Sequence, residues 1–395
     1  MKILIADKLA DEAVSQLEEL GAHVTVDADL NPETLPTSIQ DNEVLIVRST
    51  KVKADTIGNA TNLSLIVRAG AGVNTIDLKA ANEKGIHVAN CPGKNTDAVA
   101  ELAIGLMIAA DRRIVNASVD LRNGVWNKKE YGKARGLKGR SLGIIGMGAI
   151  GKSVARKAQG LGMEVIAWSR SLTEEQAVEL GIEYKGSMNE VAAEADVLSL
   201  HLASNDDTRG IINKDFLAQM KDGSILINSA RGEVVNTKDL MDAIKEKGLR
   251  VGSDVFEDEP AGGKADFNDT EFAGLITCTP HVGASTDQST AAVADEVINI
   301  IKAYKNTGKP LNGVNQRQKS TAQNNLVVRH FNQVGVLAGV FDALRYEKIN
   351  IEEMENMIFE TGCAASCSLK LDVQPSAALI EKIASGENII QVMMK

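Results

Sequence analysis

Apolar runs of about four residues recur along most of the chain, and polar or glycine-bearing stretches separate them. The pattern predicts strands at Lys2–Ala6, His23–Val26, Val44–Val47, Leu63–Val67 and His87–Ala89. It predicts an amphipathic helix over Asp11–Leu20, stopped by Gly21, and a short helix ending at Ile39. Asn95 to about Arg113 is apolar almost all round, with Asn95 or Thr96 as cap. A helix of that kind is buried between domains or at a subunit interface. Polar, basic 123–140 follows and reads as a surface crossover. The rhythm resumes with strands at Leu142–Ile145, Val165–Trp168, Val197–Leu200 (after a helix at Met188–Ala193), Ile225–Asn228, Arg250–Asp254 and Leu275–Thr277. Strands alternating with helices imply α/β architecture: parallel sheets covered on both faces.

The stretch Leu142 to Arg170 has a second layer of pattern. Gly146-x-Gly148-x-x-Gly151 leaves one buried strand and enters a helix from Lys152 to about Leu161, which leads to the next strand. Gly146 allows the sharp turn, Gly148 lets a pyrophosphate approach the backbone, and Gly151 lets helix and strand pack closely. The helix N-terminus offers free N–H groups to phosphate oxygens, with Ala149 and Ile150 of the turn among the candidate cofactor contacts. This is a doubly wound dinucleotide-binding pattern of the Rossmann type. The acid that normally grips the ribose at the tip of the second strand is absent. Ser169 and Arg170 stand there, and Arg170 suits a 2′-phosphate, so NAD and NADP both remain open.

Composition narrows the partners. The chain has 395 residues, enough for two or three domains, with 34 glycines, 3% aromatics and a net charge of −10. That charge argues against nucleic acid or an anionic membrane as partner. There is no uninterrupted apolar stretch of membrane-spanning length and no signal-peptide pattern at the start. Cys91, Cys278, Cys363 and Cys367 form neither a CxxC pair nor a zinc-ligand spacing, so no metal is expected and a reduced cytoplasmic setting is.

Candidate chemistry sits at strand ends, where ligands gather in open α/β sheets. Arg48-Ser49 and Arg68 through Gly72 form a prospective anion site for a carboxylate and a phosphate. Three later segments deliver an arginine, a carboxylate and a histidine: Asn228-Ser229-Ala230-Arg231-Gly232, Asp254-Val255-Phe256-Glu257-Asp258-Glu259-Pro260 and Thr279-Pro280-His281-Val282-Gly283-Ala284-Ser285. Hydride transfer from an alcohol carbon needs a base near neutrality, for which His281 is the candidate. It needs a carboxylate to fix and stabilise that base, and Glu259 is the candidate. It also needs a fork of donors for the substrate carboxylate and carbonyl, which Arg231 supplies.

The order GxGxxG, SARG, DVFxxEP, TPHxGAST resembles the D-isomer-specific 2-hydroxyacid dehydrogenases over about residues 1 to 315. The resemblance implies a split subunit. A flavodoxin-like substrate-binding lobe would comprise 1–95 and 286–315, with a helix returning near Gln288–Lys305. The dinucleotide-binding domain would span 96–285. It gives Arg231 the substrate, Glu259 and His281 the proton relay, and Asp254 the nicotinamide carboxamide. Ser229, Ala230, Gly283 and Ala284 fall among the expected cofactor contacts.

Polar residues 306–322 read as a connection, with the linker proper at 316–322. The tail, 323–395, predicts strand Leu326–Arg329, helix Gly335–Arg345, strands Asn350–Phe359 and Cys367–Val373, helix Pro375–Ser385 and strand Asn388–Met393. That βαββαβ order fits a ferredoxin-like fold. His330-Phe331-Asn332, Gly335-Val336-Leu337 and Asn350-Ile351 resemble an ACT domain, although Val334 replaces the usual proline. The resemblance implies a small amino acid held between two such domains by His330, Asn332 and Asn350 across a subunit boundary, hence a homodimer or homotetramer. Family members with this layout oxidise 3-phosphoglycerate with NAD, reversibly, with L-serine as effector. Two alternatives stay open: an NADP-dependent glyoxylate or hydroxypyruvate reductase, and a nucleotide-sensing binding protein of the corepressor kind.

Overall fold

The structure is a computed structural model, and it describes residues 1–260, 264–317 and 320–395. The chain divides into two compact units, Met1–Asn315 and Gln316–Lys395. In the first unit, strands β1 (Lys2–Ile5), β2 (His23–Val26), β3 (Val44–Val47), β4 (Leu65–Arg68) and β5 (His87–Asn90) form a parallel sheet in the order β2-β1-β3-β4-β5. Both faces are covered: Leu4, Leu45, Ile66 and Val88 point to one layer, Ile3, Ile5, Ile46 and Val67 to the other. The long helix Asp287–Thr307 closes that second layer with fully buried Val297, Ile300 and Ile301. The chain thus comes back to its own beginning.

The second sheet has β6 (Ser141–Ile145), β7 (Glu164–Trp168), β8 (Glu183–Tyr184), β9 (Val197–Leu200), β10 (Ile225–Asn228), β11 (Arg250–Ser253) and β12 (Thr277–Cys278), all parallel, in the order β12-β11-β10-β9-β6-β7-β8. The order reverses between β6 and β9, which makes a switch point beside the glycine turn. Helix Thr96–Arg112 packs Ala100, Ala103, Leu106 and Met107 onto this sheet. At the amino-terminal edge, buried Arg140 donates to Asp111 Oδ1 at 3.0 Å and to the Asp196 carbonyl at 3.0 Å. That edge is fixed by charge, while the opposite edge carries the chemistry.

Several expectations need correction. The fingerprint helix begins at Ala149, three residues before the expected Lys152, so the glycine turn runs straight into it. The apolar helix ends at Arg112, within a residue of expectation, but after left-handed Arg113 (φ 50°) an unexpected second helix covers Ile114–Arg122. Leu275 ends a helix, Thr270–Leu275, and the edge strand is only Thr277–Cys278. Helices Lys214–Gln219 and Thr237–Lys247 were not anticipated, although Asn213 and Asn236 cap them through their side chains. A short apolar run such as Ile-Thr-Cys gives no period with which to tell a strand from a helix end.

The second unit has β13 (Asn324–Phe331), β14 (Ile351–Ile358), β15 (Ala364–Leu371) and β16 (Ile389–Met394) in an antiparallel sheet of order β14-β15-β13-β16. Helices Val336–Tyr346 and Ala377–Ala384 contribute Val340, Leu344, Leu379 and Ile383 to a core with Leu326, Val328, Cys367 and Leu369. This is the expected ferredoxin-like βαββαβ arrangement. Among the described residues no helix is long and apolar enough to cross a membrane.

Candidate active site

The glycine turn behaves as its spacing dictates. Gly146 has φ 101°, and a Cβ there would strike the His201 carbonyl oxygen. At Gly151 a Cβ would overlap the Gly146 carbonyl oxygen, while at Gly148 it would meet nothing within 4 Å. Two glycines are therefore demanded by the chain itself. The third leaves open, exposed space above the start of the helix Ala149–Gly160, where Ala149 is exposed and Ile150 half-buried. A phosphate group fits that space. Two neighbouring strand ends carry polar atoms in need of a partner. His201 lies across from Gly146, its N–H bonded to the Ile145 carbonyl at 2.8 Å, and its buried Nδ1 has no partner; Ser229 Oγ, also buried, has none either. Burial pushes the His201 imidazole down to about 4, so it is neutral near pH 7. These residues fit a dinucleotide. Beyond β7, half-buried Ser169 and exposed Arg170 follow with no acid between them.

The relay forms at the adjacent strand ends. His281 Nδ1 lies 2.6 Å from Glu259 Oε2, and the Phe256 N–H donates to Glu259 Oε1 at 3.0 Å. Burial alone would raise the Glu259 carboxyl. The hydrogen bond and charge of His281, the Phe256 N–H and the charge of Arg231 outweigh it and hold the group below its ordinary range. With Nδ1 turned to the carboxylate, Nε2 is left for a substrate proton. Arg231 is held at its root by Asn228, whose side chain accepts from Ala230 N (3.1 Å) and donates to the Arg231 carbonyl (3.0 Å). Gly232 then passes directly under the Phe256 carbonyl. That close approach brings the Arg231 turn up to the Glu259 loop.

The anion side comes from the first sheet. A Cβ on Gly72 would stand 2.5 Å from Arg231 Nη2, so the loop after β4 and the turn after β10 meet. Arg68 folds over Gly70, and its Nε is buried without a partner. Burial, then the like charges of Arg231 and Arg48, pull the Arg68 guanidinium down to about 10. Three guanidinium groups thus crowd one corner, a cost that a polyanion would relieve. Ser49 is engaged differently from the expectation. Its hydroxyl and the N–H groups of Arg48, Ser49 and Thr50 all go to the Asp7 carboxylate, at 2.7–3.1 Å. Asp7 shapes this loop. Its position at the end of the first strand was the available signal, and sequence reading passed over it.

Comparison with known proteins agrees with this geometry. The profile of the D-isomer specific 2-hydroxyacid dehydrogenase NAD-binding domain matches residues 104–283. A hydroxypyruvate reductase of Thermotoga maritima is 40% identical over 306 residues, 76% of this chain and 96% of that protein. The chain belongs to the D-isomer specific 2-hydroxyacid dehydrogenases. A D-3-phosphoglycerate dehydrogenase of Methanocaldococcus jannaschii is also 40% identical over 306 residues, but these are 57% of its length, so the chain spans little over half of that relative. Among solved structures, the NAD+-bound 3-phosphoglycerate dehydrogenase of Entamoeba histolytica superposes with a TM-score of 0.67 at 30% identity. It covers 80% of this chain and 99% of that one.

Within this family's NAD-binding domain, Asp254 is more occupied than its strand-end position suggested. Its Oδ1 accepts from Thr279 Oγ1 (2.6 Å) and Val282 N (2.8 Å), and its Oδ2 from Gly283 N (2.8 Å). A carboxylate offers about four acceptor sites, so one remains for a carboxamide. Gly283 is buried and Ala284 half-buried on the same loop. Among the described residues no cluster of three or more His, Cys, Asp or Glu is placed to hold a metal ion.

In the tail unit the three expected effector residues do not converge within one chain. His330 is 2% exposed on the helix-covered face. Its Nδ1 lies 2.8 Å from the Phe331 carbonyl and its Nε2 3.4 Å from Asn356 Oδ1. Asn332 is exposed and bonds across to Gly362 and Cys363. Asn350 is exposed at the far end of the sheet beside Asp372. Strands of this length put Asn332 and Asn350 roughly 30 Å apart. Asn350 borders an open pocket with Phe341, Leu344, Arg345 and Lys348.

Proposed function

We propose that the chain is a D-3-phosphoglycerate dehydrogenase, oxidising 3-phosphoglycerate reversibly to 3-phosphooxypyruvate with NAD, the first step of L-serine synthesis. The carrying observation is the His281–Glu259 pair within electrostatic reach of Arg231, beside a glycine turn shaped for a dinucleotide. When bound, NAD accepts the hydride. Gly146, Gly148 and Gly151, with Ala149 and Ile150, hold its pyrophosphate; Ser169, Arg170, Ser229, Ala230, Asp254, Gly283 and Ala284 line its remaining length. His281 Nε2 takes the hydroxyl proton as the carbonyl forms, and Glu259 keeps the Nδ1 proton in place and stabilises the imidazolium. Arg231 binds the substrate carboxylate and the oxygen on which charge changes. Arg48 and Arg68 face the phosphate, with the Ser49 and Gly72 loops as frame.

The crowded guanidinium groups support a substrate with two anionic ends. A second reading, an NADPH-dependent hydroxypyruvate or glyoxylate reductase, is favoured by Arg170 and by the match along nearly the whole length of a hydroxypyruvate reductase. The tail would sense L-serine between two copies, with Asn332 from one and Asn350 from the other. His330 would have to release an internal partner to join them. Self-association as a dimer or tetramer is supported by the apolar strip Ile114, Val115, Val119, Leu121, Val125 and Trp126, each 46–79% exposed. Four free thiols suit a reducing cytoplasm.

Steady-state rates with NAD and NADP, each with 3-phosphoglycerate, hydroxypyruvate and glyoxylate, with and without L-serine, test the reading. We expect preference for NAD and 3-phosphoglycerate, and a loss of about 10²–10³-fold in kcat/KM for Arg231→Ala. Preference for NADPH and glyoxylate selects the second reading. Full activity of Arg231→Ala removes the mechanism.

A further inference from the structure

His281 carries φ 52°, the left-handed region. Histidine enters this region more readily than most residues, yet such a conformation is strained and persists only where the surroundings over-determine it. Here most of the ties run to one buried residue, beside the ring's bond to Glu259 and a longer bond from the His281 N–H to the Thr279 carbonyl at 3.1 Å. The backbone N–H of His281 donates to the Asp254 carbonyl at 2.7 Å. The Asp254 carboxylate, 2% exposed, gathers the N–H groups on the far side of His281, those of Val282 and Gly283. Gly283 comes so near that a Cβ would stand 2.8 Å from Asp254 Oδ2. On the near side the tie is a single side-chain bond, Thr279 Oγ1 to Asp254 Oδ1 at 2.6 Å, while Thr279 N is anchored to the Ser253 carbonyl at 3.0 Å. The loop is thus bound to the carboxylate on both sides of the histidine, and the strained residue lies between.

We propose that Thr279 is a positioning residue for the reaction: its hydroxyl, through Asp254, holds His281 left-handed so that the imidazole meets Glu259 with Nε2 facing the substrate. The inference rests on the hydride-transfer reading above and adds a residue outside the relay itself. Hydrogen bonds to a charged carboxylate are the strong kind, and three of them with one backbone bond exceed the cost of one strained residue. Without the hydroxyl, the near side loses its only tie to the carboxylate and keeps only backbone bonds, about which the loop can shift. The ring then leaves its 2.6 Å partner, and displacement by about 1 Å is enough to cost two orders of magnitude in rate.

The test uses the full chain and whichever 2-hydroxy acid the parent oxidises, comparing Thr279→Val, which keeps the shape, with Thr279→Ser, which keeps the hydroxyl. NADH stoichiometry by fluorescence titration counts intact sites independently of turnover. We expect T279V to bind one NADH per chain with an affinity within about threefold of the parent, and to lose about 10–100-fold in kcat with little change in substrate KM. T279S should recover most of that loss. Parent-like turnover in T279V, equal loss in T279S, or loss of NADH binding in T279V each overturns the inference and leaves the dehydrogenase reading standing. A parent that turns over no 2-hydroxy or 2-oxo acid removes both.

Discussion

Gly232 and Gly148 make opposite demands, and replacing each with alanine separates the two parts of the site. At Gly232 the added methyl falls on the Phe256 carbonyl and stands 2.5 Å from Glu257 N, against an ordinary contact near 3.5 Å. The neighbours are backbone, so the turn and the loop must move apart by roughly 1 Å. Overpacking of this kind costs about 1–3 kcal/mol of stability. The displaced parts are the Arg231 turn and the loop that carries Glu259. A misplacement of that size costs about 10²-fold in kcat/KM. At Gly148 the methyl meets no protein atom within 4 Å. Gly148→Ala should therefore unfold at the parent's temperature while binding NADH at least tenfold more weakly, since the methyl occupies the phosphate's approach. Thermal unfolding, NADH titration and steady-state kinetics on both variants measure this. A Gly232→Ala enzyme with the parent's stability and kcat/KM, or a Gly148→Ala enzyme with unchanged NADH affinity, refutes the steric reasoning.

Acid should cost this fold more than its carboxylates alone account for. His201 has a folded value near 4 against an ordinary 6.5, so the neutral form is the one the fold accommodates. Its contribution is complete above pH 6.5 and falls toward pH 4 as the unfolded chain takes a proton that the folded chain refuses; by pH 5 the loss is about 2 kcal/mol. Urea midpoints at pH 7.5 and 5 should converge in His201→Asn relative to the parent, and parallel shifts in both proteins would contradict the assignment. If the tail senses L-serine as proposed, Asn332→Ala should relieve that inhibition with little change in the uninhibited rate. Unchanged inhibition would remove Asn332 from the sensor.

What the sequence determined by itself is local. Four-residue apolar runs alternating with helical stretches marked Val44–Val47, Val197–Leu200 and Ile225–Asn228 as inner strands of parallel sheets, buried on both faces. The glycine turn was legible because its three residues answer to sterics within one strand–turn–helix unit. Arg231, Glu259 and His281 were legible as residue types at strand ends. Their relation was not, since it depends on contacts between distant segments: Gly232 under Phe256, Asn228 gripping its own turn, Thr279 on Asp254 and Asp7 drawing in the loop at 48–50. Side-chain direction was equally hidden. His330 looked available from its neighbours, yet strand alternation turns it into the core, because the period of two leaves each side chain only one face. The sequence carries the parts and their periodicity. Which of them touch is settled when the sheet edges close on one another, for only packing brings groups two hundred residues apart to within one hydrogen bond, as in the tie from Val88 N to Asn315 Oδ1 at 2.8 Å.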